Sequence, residues 1–532
     1  MTSSSTAVEG SEPATLSGPG AGNGVTRRIP ADGRDTPDAH NTPNGAAPNG
    51  SADTVEQLRK AFSNKYRHVE AIHNKSRPTC LSHDTTETPS FLGFRNLMVI
   101  VLVAGNLRLI IENIQKYGVL ICIRCHDFRQ NDVRLGLALY CLIPCHLFIA
   151  YAIELVAAWH ARGQRAKAKE RDGTSSPTED QSRSFLRTWR LIRFAHLINI
   201  TAALGFHTWI VYYHMNHPLI GTLTEVHAII VWLKTVSYAL TNRDLRHAYL
   251  HPVRGELDAL PELYKQCPYP SNVTFSNLAY FWWAPTLIYQ PAYPRTDKIR
   301  WEFVFKRLGE VVCLSAFIWF CSAQYATPVL FNSLGKIRSL DYTSIIERVL
   351  KLSTISLVIW LAGFFALFQS GLNALAEVTR FGDRGFYDPW WNSESLGMYW
   401  RTWNKPVYKY FHRHVYSPMR ARGYSQMTAS TAVFLLSAIL HELLVGAPTH
   451  NMIGVAFAGM FLQLPLIIMT APLERNKSAN GKLLGNVTFW VTFTIFGQPL
   501  AALLYFYAWQ AKYGSVSRVM AESAVPGVGS VL

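Results

Sequence analysis

The sequence is short of charge and of cysteine. Only 16% of its 532 residues are Asp, Glu, Lys or Arg, against 49% apolar and 13% aromatic. The eight cysteines are scattered, and nothing in their spacing demands disulfides. Cys122-x-x-Cys125 resembles half of a zinc site, but no second half follows at a suitable distance, so small apolar filler is the expected role. No repeat of fixed period is visible. Residues 1–75 have few large apolar side chains and are rich in Ser, Thr, Gly, Pro, Ala and Asn. Such a stretch cannot bury enough surface to offset the entropy of ordering, and a disordered cytosolic tail is expected. It also lacks the apolar centre of a cleavable signal peptide, so the first span is expected to direct insertion.

What the rest of the chain has is long apolar runs. They fall near 96–115, 134–159, 191–213, 218–240, 303–331, 346–375, 428–447, 452–472 and 484–510. Each approaches or exceeds the ~20 residues that cross a bilayer as helix. The expectation is an all-α, polytopic membrane protein with about nine transmembrane helices and one membrane-embedded domain over 76–532. The tail dilutes the mean hydropathy to +0.07. Lys and Arg gather in three loops, among them Arg162 to Arg190, Arg380 to Arg422, and Arg475 to Lys482. Nine spans with a cytosolic N-terminus put all three on the cytosolic side, as the positive-inside rule requires. Topology therefore explains the net charge of +16 better than nucleic-acid binding does. The sequon at Asn272 falls on the same side and is expected to stay unmodified.

His441 stands inside the run Val433-Phe-Leu-Leu-Ser437-Ala-Ile-Leu-His441-Glu442-Leu-Leu-Val445. Placing an ionised side chain in hydrocarbon costs roughly 2.5–3.5 kcal/mol, and His is the side chain suited to carrying protons near neutral pH. A buried structural His bonded to a backbone carbonyl is the competing reading. Upstream lies Phe386-Tyr-Asp-Pro-Trp-Trp-Asn392-Ser-Glu-Ser395, whose paired indoles also suit a membrane interface. Between the two, residues 401–416 read as one amphipathic helix. Trp403, Val407, Phe411 and Val415 form one stripe and Lys405, Lys409 and Arg413 another, to lie on the interface or face a phosphorylated ligand. Gln463 and Gln498 sit in later apolar runs, where polar residues otherwise glue helices together.

Taken in order, these motifs resemble the sterol and diacylglycerol acyltransferase branch of the membrane-bound O-acyltransferase family. The likeness extends to Trp403-Asn404-Lys-Pro-Val-Tyr408-Lys, Phe461-Leu-Gln463-Leu-Pro, Gly497-Gln498-Pro499, Ala284-Pro-Thr-Leu-Ile-Tyr-Gln-Pro-Ala-Tyr-Pro-Arg295 and Asn106-Leu-Arg-Leu-Ile-Ile-Glu-Asn-Ile-Gln-Lys-Tyr-Gly118. It covers the chain from about residue 78 onward. The first and last of those segments are more similar to the type 1 diacylglycerol enzymes than to the sterol enzymes. Two departures stand out: Pro389 replaces the usual Asp, with Asp388 one place earlier, and Tyr408 stands where a His is frequent.

The resemblance implies acyl transfer from acyl-CoA to the free hydroxyl of 1,2-diacylglycerol, with His441 as general base. It implies that Asn404 or Gln498 donates to the oxyanion and that Glu442 orients a neighbour or the lipid. Trp390, Trp391, Asn392, Trp403, Tyr408 and Tyr416 would line the acyl-CoA entrance, with Ser437 and Gln463 supporting. It implies no metal and no cofactor, acyl-CoA being a substrate. An endoplasmic reticulum membrane and a homo-oligomer, dimer or tetramer, are also implied. Sterol O-acyltransferase is the nearer alternative. A lipid transporter is a more distant one, lacking the paired halves such proteins show.

Overall fold

The computed structural model describes residues 68, 71–82, 89–115, 130–170, 179–250, 261–326, 329–330, 332–333, 339, 341–475 and 479–523. All fall in one compact unit, Ser51–Leu532. Cys122 and Cys125 lie outside the described residues.

Helices dominate these residues, and two isolated bridges, Arg77 with Asp383 and Arg295 with Phe381, are the β pairing among them. The principal helices are α1 (Leu92–Gln115), α2 (Gln130–Leu142), α3 (Cys145–Glu170), α4 (Glu179–His214), α5 (Pro218–Leu250) and α6 (Phe275–Trp283). Next come α7 (Trp301–Cys321), α8 (Tyr342–Phe364), α9 (Leu372–Val378), α10 (Leu396–Thr402), α11 (Lys405–Phe411) and α12 (Ser417–Ala421). The last are α13 (Gln426–Gly446), α14 (Val455–Phe461), α15 (Gln463–Arg475), α16 (Ala479–Val491) and α17 (Gln498–Ser523).

Seven stretches are long and apolar enough to cross a membrane: Gln130–Lys167, Leu186–His214, Pro218–Leu250, Tyr342–Val378, Gln426–Gly446, Val455–Glu474 and Gly481–Lys512. Two of the nine expected runs fall short of that standard. The described apolar part of α1 is only Leu92–Leu102. Helix α7 carries Glu302, Lys306, Arg307 and Glu310 in its first three turns. A polytopic all-α membrane protein stands, and a count of nine does not follow from length and hydropathy.

The spans are inside out relative to helices of a water-soluble protein. Helix α4 turns Leu191, Phe194, Leu197 and Ile198 outward while burying His196 and Asn199. Asn199 donates through Nδ2 to the His146 carbonyl at 2.8 Å, and its Oδ1 lies 2.9 Å from His146 Nδ1. Lipid tolerates the outward Leu side chains, whereas an unpaired amide in hydrocarbon costs several kcal/mol, so the polar side faces the bundle.

The tryptophan pair sits at the centre of the protein. Trp390 and Trp391 are 0% exposed. Trp390 meets Trp360 edge-on at 5.2 Å, and Trp391 stacks on Phe94 of α1 at 4.7 Å. Such pairs contribute about 0.5–1.5 kcal/mol each beyond the area they bury. Gly93 and Gly485 let two helices close on this loop. A Cβ on Gly93 would lie 1.6 Å from the Trp391 carbonyl oxygen, and one on Gly485 2.3 Å from that of Glu394.

His68, Ile72 and His73 are tied by hydrogen bonds to residues of α5 and of the segment after α6. The His68 N–H donates to Asp244 at 3.2 Å, and the Ile72 and His73 N–H groups donate to Gln290 Oε1 at 3.1 and 2.8 Å. Asn272 is buried too, its Nδ2 donating to Asn242 and to the Tyr289 hydroxyl.

Candidate active site

A cavity of about 1220 Å3 is framed by α5, the segment after α6, the α8–α9 turn, α10, α11 and α13. Six of the anticipated residues line it: Trp403, Asn404, Tyr408, Tyr416, Ser437 and His441. They come from α11, from the junctions on either side of it and from α13.

Ser425 starts α13 by accepting the Thr428 N–H at 3.0 Å. The helix then brings Ser430, Val433, Ser437, Leu440, His441 and Leu444 to the cavity at helical spacing. His441 Nδ1 lies 2.7 Å from the Ser437 carbonyl oxygen, and the Ser437 hydroxyl is 3.5 Å away. A carbonyl only accepts, so Nδ1 carries the proton and Nε2 keeps its lone pair. Nε2 has no hydrogen-bond partner among the described residues. The carbonyl bond of the structural reading is therefore present, and the second nitrogen remains free for chemistry.

Asn404 is the N-cap of α11. Its Oδ1 accepts the Val407 N–H at 3.2 Å, and Pro406 fits the first turn, where its missing N–H is harmless. The cap uses the oxygen alone, leaving the Nδ2 N–H groups as donors at the cavity wall. Tyr408, His412 and Tyr416 succeed one another four residues apart on this wall, with centroids 5.9 and 5.3 Å apart.

Several anticipated residues sit elsewhere. Trp390 and Trp391 are core side chains, not cavity lining. Asn392 is engaged by α1, accepting the Gly93 N–H at 2.6 Å and donating to the Ser90 carbonyl at 2.5 Å. Gln463 bonds the Gly459 carbonyl and accepts from Trp400, away from the cavity lining. Glu442 points the other way on α13. It accepts from the Gly454 and Phe457 N–H groups at 2.8 and 3.0 Å and from the Tyr505 hydroxyl at 2.7 Å. That carboxylate clasps the turn between α13 and α14, where Gly454 takes φ 75°. Gln498 opens α17, but its side chain lies outside the described residues.

The single amphipathic helix over 401–416 is also corrected. It breaks at Trp403 and Asn404, and its three cations are engaged internally rather than held toward a phosphate. Lys405 reaches both Asp388 oxygens at 2.7 Å, so the Asp displaced by Pro389 holds the start of α11. Lys409 meets Asp383 at 3.2 Å, and Arg413, 0% exposed, donates to the His68 and Tyr289 carbonyls. Asp383 in turn bonds His73 Nδ1 at 2.6 Å, and His73 Nε2 lies 2.8 Å from the hydroxyl of Thr286 on the cavity wall. Against the cost of burial, the hydrogen bond from His73 and the Lys409 ammonium hold the Asp383 carboxyl down at about 2.

Sequence reading passed over Lys234, which also lines the cavity. The signal was there: it is the one Lys or Arg between residues 218 and 240.

Helices that turn polar groups inward around a cavity with a free imidazole nitrogen have the form of an enzyme working within a membrane. The chain belongs to the membrane-bound O-acyltransferase family, whose pattern matches residues 184–507. It is a multi-pass membrane acyltransferase. It is similar to diacylglycerol O-acyltransferase 1C of Glycine max, 36% identical over 474 residues covering 89% of this chain and 86% of that protein. Diacylglycerol O-acyltransferase 1 of Arabidopsis thaliana is 35% identical over 454 residues, 85% of this chain and 80% of its own length. The enzyme of the same name from Dictyostelium discoideum is 33% identical over 430 residues, 81% of this chain and 64% of its own.

Proposed function

We propose that the protein transfers a fatty acyl group from acyl-CoA to the free hydroxyl of 1,2-diacylglycerol, forming triacylglycerol. The relatives named above act, by their names, on diacylglycerol. The observation that carries the chemistry is the free Nε2 of His441, on a residue that lines a cavity of about 1220 Å3. An alcohol attacks a thioester only as it loses its proton, and Nε2 is the acceptor. As the C–O bond forms, the carbonyl becomes an oxyanion that the Asn404 Nδ2 group can meet. Collapse breaks the C–S bond, and the leaving thiolate recovers the proton from His441.

The Tyr408, His412 and Tyr416 rings suit stacking against the base of CoA arriving from the cytosol, while diacylglycerol arrives from the bilayer. No metal or cofactor is called for. The endoplasmic reticulum membrane is the proposed location, and a homo-oligomer, dimer or tetramer, the proposed assembly.

The test is a purified-enzyme assay with labelled oleoyl-CoA offered diacylglycerol, ergosterol or a long-chain alcohol. Triacylglycerol should dominate, and preferential sterol ester would move the assignment to the sterol branch. His441→Ala should lower turnover by about 10²–10⁴-fold while the protein still retains acyl-CoA. A monodisperse His441→Ala protein with near-normal turnover removes His441 as the base.

A further inference from the structure

Lys234 is buried at 5% exposure within α5, in a wall of the cavity. Its Nζ lies 2.9, 3.0 and 2.8 Å from the carbonyl oxygens of Phe281, Trp282 and Ala284. Carbonyls only accept, so three such bonds need three N–H groups, which an ammonium has and a neutral amine lacks. The three carbonyls belong to the end of α6 and its exit, where the chain runs on through Pro285, Thr286 and Leu287 along the cavity. Among the described residues no carboxylate pairs with Lys234, and the Phe281 ring lies 4.9 Å from its Nζ. Main-chain dipoles hold the cation in place without cancelling its charge. In a site of low dielectric such a charge acts over long distances.

Its place in the fold puts that charge in a wall of the cavity that His441 also lines. Near the start of α5, Gly221 faces Pro448, just beyond the end of α13, so the two helices run antiparallel. Further along, Leu233 and Leu440 share one apolar cluster. Lys234 and His441 both line the cavity.

We infer that Lys234 is a positioning residue for acyl transfer, anchoring the 281–287 wall and lending the reacting thioester an uncompensated positive charge. The inference rests on the proposed reaction, in which negative charge develops first on the carbonyl oxygen and then on the departing sulfur. With its three N–H groups already engaged, Lys234 acts through its field and through the wall it holds, not by bonding substrate. A fixed charge of this kind needs no reorganisation at the moment of reaction.

Two substitutions in the full-length protein separate charge from anchoring. Lys234→Gln is neutral but still offers two N–H groups to the carbonyls, whereas Lys234→Arg keeps the charge. The expected result is a fall in kcat of at least about tenfold for Lys234→Gln, with KM for oleoyl-CoA nearly unchanged, and a smaller fall for Lys234→Arg. Equal losses in the two variants, or near-normal kcat in Lys234→Gln, overturn the inference.

A measurement on the unmutated protein does not depend on either variant folding. An oleoyl-CoA analogue with an anionic phosphonate in place of the thioester carbonyl should inhibit at least about tenfold more tightly than its neutral thioether counterpart. Equal inhibition also overturns the inference. If the unmutated enzyme acylates another alcohol instead of diacylglycerol, the proposed function fails while the variant ranking, measured on that alcohol, still decides the role of Lys234.

Discussion

The Asn404 carboxamide is divided between architecture and chemistry, its Oδ1 capping α11 and its Nδ2 left as a donor on a residue that lines the cavity. Substitution can separate the two. Asn404→Asp keeps an oxygen for the cap but has no N–H to donate when ionised. It should hold thermal stability near that of the unmutated protein while turnover falls by about 10²–10³-fold. Asn404→Ala should lose the same turnover and about 1 kcal/mol of stability as well. Thermal melts alongside steady-state kinetics check both, and full turnover in Asn404→Asp removes Asn404 from oxyanion stabilisation. His441 stands out in the sequence by its apolar run, whereas Asn404 is picked out only by the resemblance, because 401–416 reads as one helix and hides the cap. The role of Glu442 was not legible, because its partners Gly454, Phe457 and Tyr505 become neighbours only once α13, α14 and α17 meet.

Among the elements, seven spans were readable from the length of their apolar runs, and the Ser437–His441 face of α13 from helical spacing. The 386–395 loop and the 401–416 segment were misread for a shared physical reason. Paired tryptophans look alike at a lipid interface and in a core, and the choice is made by Phe94 and Trp490, each about a hundred or more positions away. The basic stripe likewise appears solvated until Asp383 and the His68 carbonyl arrive beside it. The seating of α1 on the tryptophan loop yields a prediction. Gly93→Ala places a methyl where the Trp391 carbonyl already lies, which should cost roughly 1–3 kcal/mol of stability. A melting temperature unchanged from the parent protein would show that α1 does not depend on that approach.

At the scale of the whole molecule, acid should loosen the N-terminal segment before it reaches Asp383. Burial, aided by Arg243, Arg413 and Arg422, pushes His68 down from 6.5 to about 3. A histidine held neutral contributes stability that is complete above pH 6.5 and is lost as the pH falls from 6.5 toward 3. Asp383, held down at about 2, loses its contribution only between 3.8 and 2. The His68 loss alone is about 1.4 kcal/mol by pH 5.5. Hydrogen exchange over residues 71–75 should therefore quicken between pH 7.5 and 5.5 beyond the intrinsic pH effect, and His68→Gln should blunt that change. Equal behaviour of the two proteins would mean that His68 does not hold the segment.

The bond that fixes the His441 tautomer ends on a main-chain oxygen, an atom that every amino acid brings to position 437. Proton placement on the imidazole is thus inherited with the helix rather than with a partner side chain. A descendant sequence can exchange Ser437 for another helix-compatible residue without resetting the base. In a saturation map of the chain, intolerance at 441 should stand apart from its neighbour one turn earlier. Drift around the reacting centre is then limited by the shape of α13 more than by a fixed set of companions.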